Sequence, residues 1–127
     1  MIELDVCDVW QTDDEVIRMR FKPCDVHDLT AAIAVVDAHN KLANGIRRPV
    51  IADIREVTVG ADRDAREYYV SEEASKYKTG MAMIASSPLQ RMLGNVFFRI
   101  NRPPYPSKLC ADEAAAMAWL SGLEKNC

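Results

Sequence analysis

Apolar and polar positions alternate in the first segment of the chain, with Ile2, Leu4 and Val6 set against Glu3 and Asp5. A period of two predicts a half-buried strand. The phase blurs from Cys7 to Trp10, where a bulge or a change of face is expected. After polar Thr12-Asp13-Asp14, a second alternation sets Ile17, Met19 and Phe21 against Arg18, Arg20 and Lys22. So short a connection predicts a hairpin, ended by Pro23, which has no N–H to give a ladder. Asp25 is the expected N-cap of a first helix, with Asp28 following and an apolar stripe of Leu29, Ile33 and Val36. Asn44-Gly45 closes that helix, since both tolerate the left-handed conformation.

Pro49 to Ile54 is a short apolar run of the kind that forms a central parallel strand, with Asp53 as its exception. Residues 62–77, rich in alanine, glutamate and tyrosine, read as a helix, and Met81 to Ala85 as another buried strand. Ser86-Ser87-Pro88 is a helix start, a serine cap followed by proline in the first turn. The helix it opens carries Leu89, Leu93, Val96, Phe97 and Ile100 on one stripe. Pro103 to Pro106 reads as an extended linker, and Lys108 to Cys110 as a short strand. Asp112 caps a last helix in which Ala115, Trp119 and Leu123 share a face. The order ββαβαβαβα predicts an α/β domain over residues 1–127. Its mixed sheet is mostly parallel, with right-handed crossovers and an antiparallel N-terminal hairpin.

Composition changes this picture little. A chain of 127 residues, 49% hydrophobic and 28% charged, has the size and balance of one globular domain. The net charge of −3 speaks against nucleic acid, and the clusters Arg47-Arg48 and Arg99…Arg102 are too short to reverse that. The acidic, alternating N-terminus does not resemble a signal peptide. No apolar run approaches the ~18 residues of a membrane span, so a cytoplasmic protein is expected. The cysteines at 7, 24, 110 and 127 form no Cys-x-x-Cys pair and are expected to be free thiols. Cys7 and Cys110 belong to the core, and Cys127 is expected to be mobile. Cys24 and His27 have a spacing that suits a metal, but no second pair completes a site, so no metal or other cofactor is expected. The glycines form no phosphate-binding loop.

The element order resembles the STAS-like (SpoIIAA-like) fold of bacterial anti-sigma-factor antagonists. Val50-Ile51-Ala52-Asp53-Ile54-Arg55-Glu56-Val57-Thr58 is similar to that family's buried strand, which ends in Asp-hydrophobic-x-x-Val. Asp112 to Leu120, and Gly94 to Phe98 followed by Asn101-Arg102-Pro103, resemble a subset of small stand-alone members. The resemblance implies a non-enzymatic regulatory or protein-interaction domain. In anti-sigma antagonists a serine in an Asp-Ser-Ser-Gly pattern accepts a phosphate. Here the stretch reads Gly60-Ala61-Asp62-Arg63-Asp64-Ala65, so the acceptor position falls on Asp62, Arg63 or Asp64 according to register. A fixed acid carries about one negative charge against nearly two for a phosphate. Some STAS-like relatives are also similar to lipid-carrying folds, which implies an alternative, a small anion or lipid-like ligand under the Leu89–Ile100 helix.

The residues offer two candidate surfaces for a ligand or partner. Asp53, Arg55, Asp62, Arg63, Asp64 and Arg66 straddle a strand end and a helix start, where open α/β sheets bind ligands and a helix N-terminus welcomes anions. The same residues would serve equally to cap and solvate that helix. Ser86 and Ser87 form a second such place, which is also what a cap looks like. His27 and His39, both assigned to the first helix, lie roughly 18 Å apart at ~1.5 Å per residue and are expected at the surface or boundary. Tyr68, Tyr69 and Tyr77 would either line a pocket or fill the core. Neighbouring sequence assembles no nucleophile, base and orienting acid, so an enzyme is the least favoured reading. A homodimer would use the hairpin edge or exposed aromatics near Phe98 and Tyr105. A cleft at the end of the Val50–Ile54 strand would favour the charged cluster. One under the helix carrying Phe97 would favour a ligand.

Overall fold

The computed structural model describes residues 1–125; Cys127 lies outside them. Six strands stand side by side in chain order: β1 (Ile2–Glu3), β2 (Cys7–Gln11), β3 (Ile17–Phe21), β4 (Arg48–Asp53), β5 (Lys78–Ile84) and β6 (Ser107–Cys110). β1, β2 and β3 are antiparallel, and β3 to β6 are parallel. The helices are α1 (Leu29–Ala43), α2 (Arg63–Tyr69), α3 (Glu72–Ser75), α4 (Pro88–Val96) and α5 (Glu113–Lys125). Among the described residues no helix is long and apolar enough to cross a membrane.

The blurred phase at Cys7 marks a fold-back. Leu4 N donates to Cys7 O at 2.9 Å, and Ile2 and Glu3 return to pair with Val9 and Asp8. The hairpin partner of β3 is therefore β2, with Cys7 and Val9 in the core, and the sheet gains one more N-terminal strand than expected.

Three helix assignments shift for local reasons. Asp28, not Asp25, caps α1, accepting from Ala31 N at 3.0 Å. The chain ahead of it is held by His27 O, which accepts from Asp62 N at 2.9 Å. The buried face of α1 is Ala32, Val35, Val36, His39 and Ala43, while Leu29 and Ile33 are exposed. Small alanines let the helix approach the sheet. The helix expected over 62–77 breaks after Tyr69, because Ser71 caps a new turn by accepting from Ala74 N at 3.3 Å. On α5 the buried residues are Ala116 and Leu120, with Trp119 and Leu123 packed beside them and Ala115 exposed.

The parallel strands never reverse direction across the sheet, so right-handed crossovers return α1 to α4 to one face. Val50, Ala52, Met81 and Met83 form the core on that side with Val35, Ala38 and Phe97. Ile51, Ala82, Ile84 and Cys110 face α5 on the other. A sheet without a reversal has no switch-point crevice, the usual ligand place in open α/β folds.

Candidate ligand cavity beneath helix α4

The charged cluster does not converge. Asp53 shares the parity of Ile51 and so points to the α5 face. Arg55 grips it from Nε at 3.0 Å and Nη2 at 2.8 Å. Burial pushes the Asp53 carboxyl up, but the hydrogen bonds from Arg55 outweigh it and hold the group below its ordinary value. On the opposite face, Asp62 caps α2 by accepting from Ala65 N at 2.9 Å. Arg63 pairs with Glu67 in solvent, and Asp64 is exposed in the first turn. Arg66 Nη1 donates to Ala61 O at 2.7 Å, while its Nε is buried with no partner.

The serines are likewise committed. Ser87 and Gln90 form a reciprocal capping box on α4. The Gln90 carbonyl accepts from Ser86 N, and its amide donates to Arg55 O at 2.6 Å.

The cleft lies instead under α4, a cavity of about 140 Å³. Its floor is the sheet face of Met19, Ala52, Met81 and Met83. Leu93, Gly94 and Phe97 roof it, Val57, Gly60 and Ala61 form a side strap, and α2 contributes Arg66 and Tyr69. The stripe expected on this helix splits. Phe97 is buried, whereas Leu89, Val96 and Ile100 are exposed, and of these three only Val96 lines the opening. At its end the chain forms a π-helical turn, Phe97–Asn101, closed by Arg102 at φ 49°. Gly94 permits the close approach: a Cβ there would stand 2.7 Å from Leu109 Cδ1 and 3.1 Å from Met83 Sδ.

Of four further polar side chains of the wall, His27, Lys78 and Tyr105 escaped the sequence reading of the site. His27 precedes α1 and is buried, stacked on Phe21 with its Nε2 2.6 Å from Tyr69 Oη. Burial lowers the His27 pKa against the pull of Asp62 and Asp28, and burial raises that of Tyr69, so the pair is neutral near pH 7. His39 is also buried, so neither histidine lies at the surface. Tyr69 carried a signal as one of the tyrosines that could line a pocket. Tyr105, expected to be exposed, is buried with its hydroxyl unpartnered. Lys78 is buried, and its ammonium donates to Ala74 O. Burial lowers its pKa to about 8. Strand parity would send Lys78 to the α5 face. An irregularity in pairing, Arg48 with Lys78 but Pro49 with Gly80, resets it toward the cavity. Among the described residues no group of three or more His, Cys, Asp or Glu side chains could hold a metal ion.

The chain is an α/β domain with a SpoIIAA-like fold. A solved structure of an uncharacterised protein of the DUF3478 family, with a SpoIIAA-like fold and from Shewanella loihica PV-4, is similar to it with a TM-score of 0.64. The two share 17% identity over 90% of this chain and 91% of that one. Residues 9–124 match the family described as Domain of unknown function (DUF7793), and the chain belongs to that family. No curated protein matches it.

Proposed function

We propose that this chain is a non-enzymatic regulatory domain that binds a small ligand between the sheet and α4. The carrying observation is the cavity of about 140 Å³ with its largely apolar wall. Ligand sites are typically preformed concave places with apolar walls and a few polar groups, and this cleft has that make-up. A closed apolar cavity of roughly 150 Å³ accepts a benzene-sized guest, which sets the scale of what this cleft can hold. The charged cluster competes poorly, because Arg55 is taken by Asp53, Arg63 by Glu67 and Ser87 by the helix it caps.

A thermal-shift titration with toluene is the direct test. The melting temperature should rise with toluene concentration, and Ala61→Phe, which adds a ring at the wall, should abolish the rise. A flat response of the unmodified protein would sink the reading.

A second reading, docking of a protein partner, is favoured by the outer side of the same helix. Leu89, Met92, Val96 and Ile100 are exposed there at helical spacing. Val96 also lines the cavity, so one helix would feel both ligand and partner. Met92→Glu and Ile100→Glu should each reduce capture of a partner from native lysate, and undiminished capture by both would remove this surface.

A further inference from the structure

The polar atoms of the cavity narrow the kind of ligand, and this step rests on the cavity reading above. The side chains that line it include two cations, Arg66 and Lys78, and no carboxylate of the described residues. Arg66 Nε and Tyr105 Oη are buried and without partners. The His27–Tyr69 pair satisfies itself and asks for nothing more. Arg66 spends Nη1 on Ala61 O, which fixes its head and leaves Nε unpaired within the wall. Unpaired donors and uncompensated positive charge in an apolar enclosure are both relieved by one chemical group, an anionic acceptor.

Guanidinium and hydroxyl donors suit the oxygens of a carboxylate, and charge-assisted bonds of this kind are the stronger class. Apart from Lys78 and the self-paired His27 and Tyr69 the remaining wall is apolar, so the anion must carry an apolar body. A volume of about 140 Å³ holds one aromatic ring or a chain of about six carbons, and no long acyl chain is enclosed. We infer that the ligand is a small aromatic or medium-chain monocarboxylate, its body under α4 and its carboxylate held by Arg66 and Tyr105.

Calorimetric titration of the purified full chain with sodium benzoate, sodium hexanoate and toluene tests this. Benzoate or hexanoate should bind at least about ten-fold more tightly than toluene. Arg66→Gln and Tyr105→Phe should each weaken the carboxylates by about ten-fold and leave toluene binding unchanged, which shows that the variants keep the cavity. If toluene binds and the carboxylates bind no better, or if both variants retain full carboxylate affinity, the ligand class is wrong and the cavity reading stands. If neither toluene nor a carboxylate binds, the cavity reading falls with it.

Discussion

His27 Nε2 and Tyr69 Oη lie 2.6 Å apart, tying the segment ahead of α1 to the end of α2. Phe21 completes the group, stacked on the imidazole and edge-on to the phenol. Three separate parts of the chain thus meet in one small aromatic corner of the cavity wall.

That bond predicts a double-mutant cycle with a definite sign. Tyr69→Phe leaves a buried imidazole nitrogen without its partner and should cost about 1–3 kcal/mol. His27→Phe in the Tyr69→Phe background should recover part of that loss, because no orphaned nitrogen remains. Urea unfolding of the single and double variants measures both, and strictly additive losses would contradict the pairing.

Acid should destabilise the protein before its carboxylates titrate. Burial, then the nearby charge of Lys78, push the His39 pKa down from 6.5 to about 4, against the bond to Asn40. Burial moves His27 in the same direction. The unfolded chain therefore takes up protons first as pH falls. The contribution is complete above about pH 6.5 and is lost progressively toward pH 4. For His39 the loss is about 3 kcal/mol, at ~1.4 kcal/mol per pKa unit. Unfolding free energies at pH 7.5 and 4.5 should differ on that scale, and His39→Leu should flatten the slope. An unchanged slope would remove His39 as its source.

Gly94→Val should destabilise the protein by about 1–3 kcal/mol, the usual cost of overpacking. A side chain there meets the ends of Leu109 and Met83 at once, so those side chains must turn aside or α4 must lift off the sheet. Thermal unfolding would register it, and a wild-type melting temperature would show that the helix does not need this approach.

Arg55→Ala should leave toluene binding unchanged and cost less than about 1 kcal/mol, since partly exposed ion pairs contribute little. Its partner Asp53 lies on the α5 face, away from the cavity. Loss of binding in this variant would restore the strand-end cluster as a site.

The four strands from Ile17–Phe21 onward were legible because each has an apolar side and an alternating or continuous pattern that sequence displays directly. The same pattern places the hairpin partner at residues 2–6 instead of Cys7–Gln11, because the phase blurs there. Ser87-Pro88 was legible for a similar reason, since capping is decided within one turn. The cavity was not. Its wall runs from Met19 to Tyr105 and exists only once the sheet, α2 and α4 are assembled. Lys78 was hidden by a shift in strand pairing that reverses its side, and Tyr105 by a proline-rich setting that reads as exposed linker. The stripe of α4 misled because apolar residues on a helix normally report burial, and here Leu89 and Ile100 face outward. Arg66 was picked for its place at a helix start, and its buried, unpaired nitrogen is a feature that no pattern of residues encodes.

The fold-back at Cys7 also bears on how this protein behaves when concentrated. It ends the sheet on a two-residue strand, Ile2–Glu3, and the opposite border, Ser107–Cys110, has four residues. Runaway polymerisation by backbone pairing needs a long, flat, unprotected border to copy, and short edge strands are one way natural sheets deny it. By placing its shortest strands outermost, the chain can carry an apolar helix on its surface without also offering a template for fibrils.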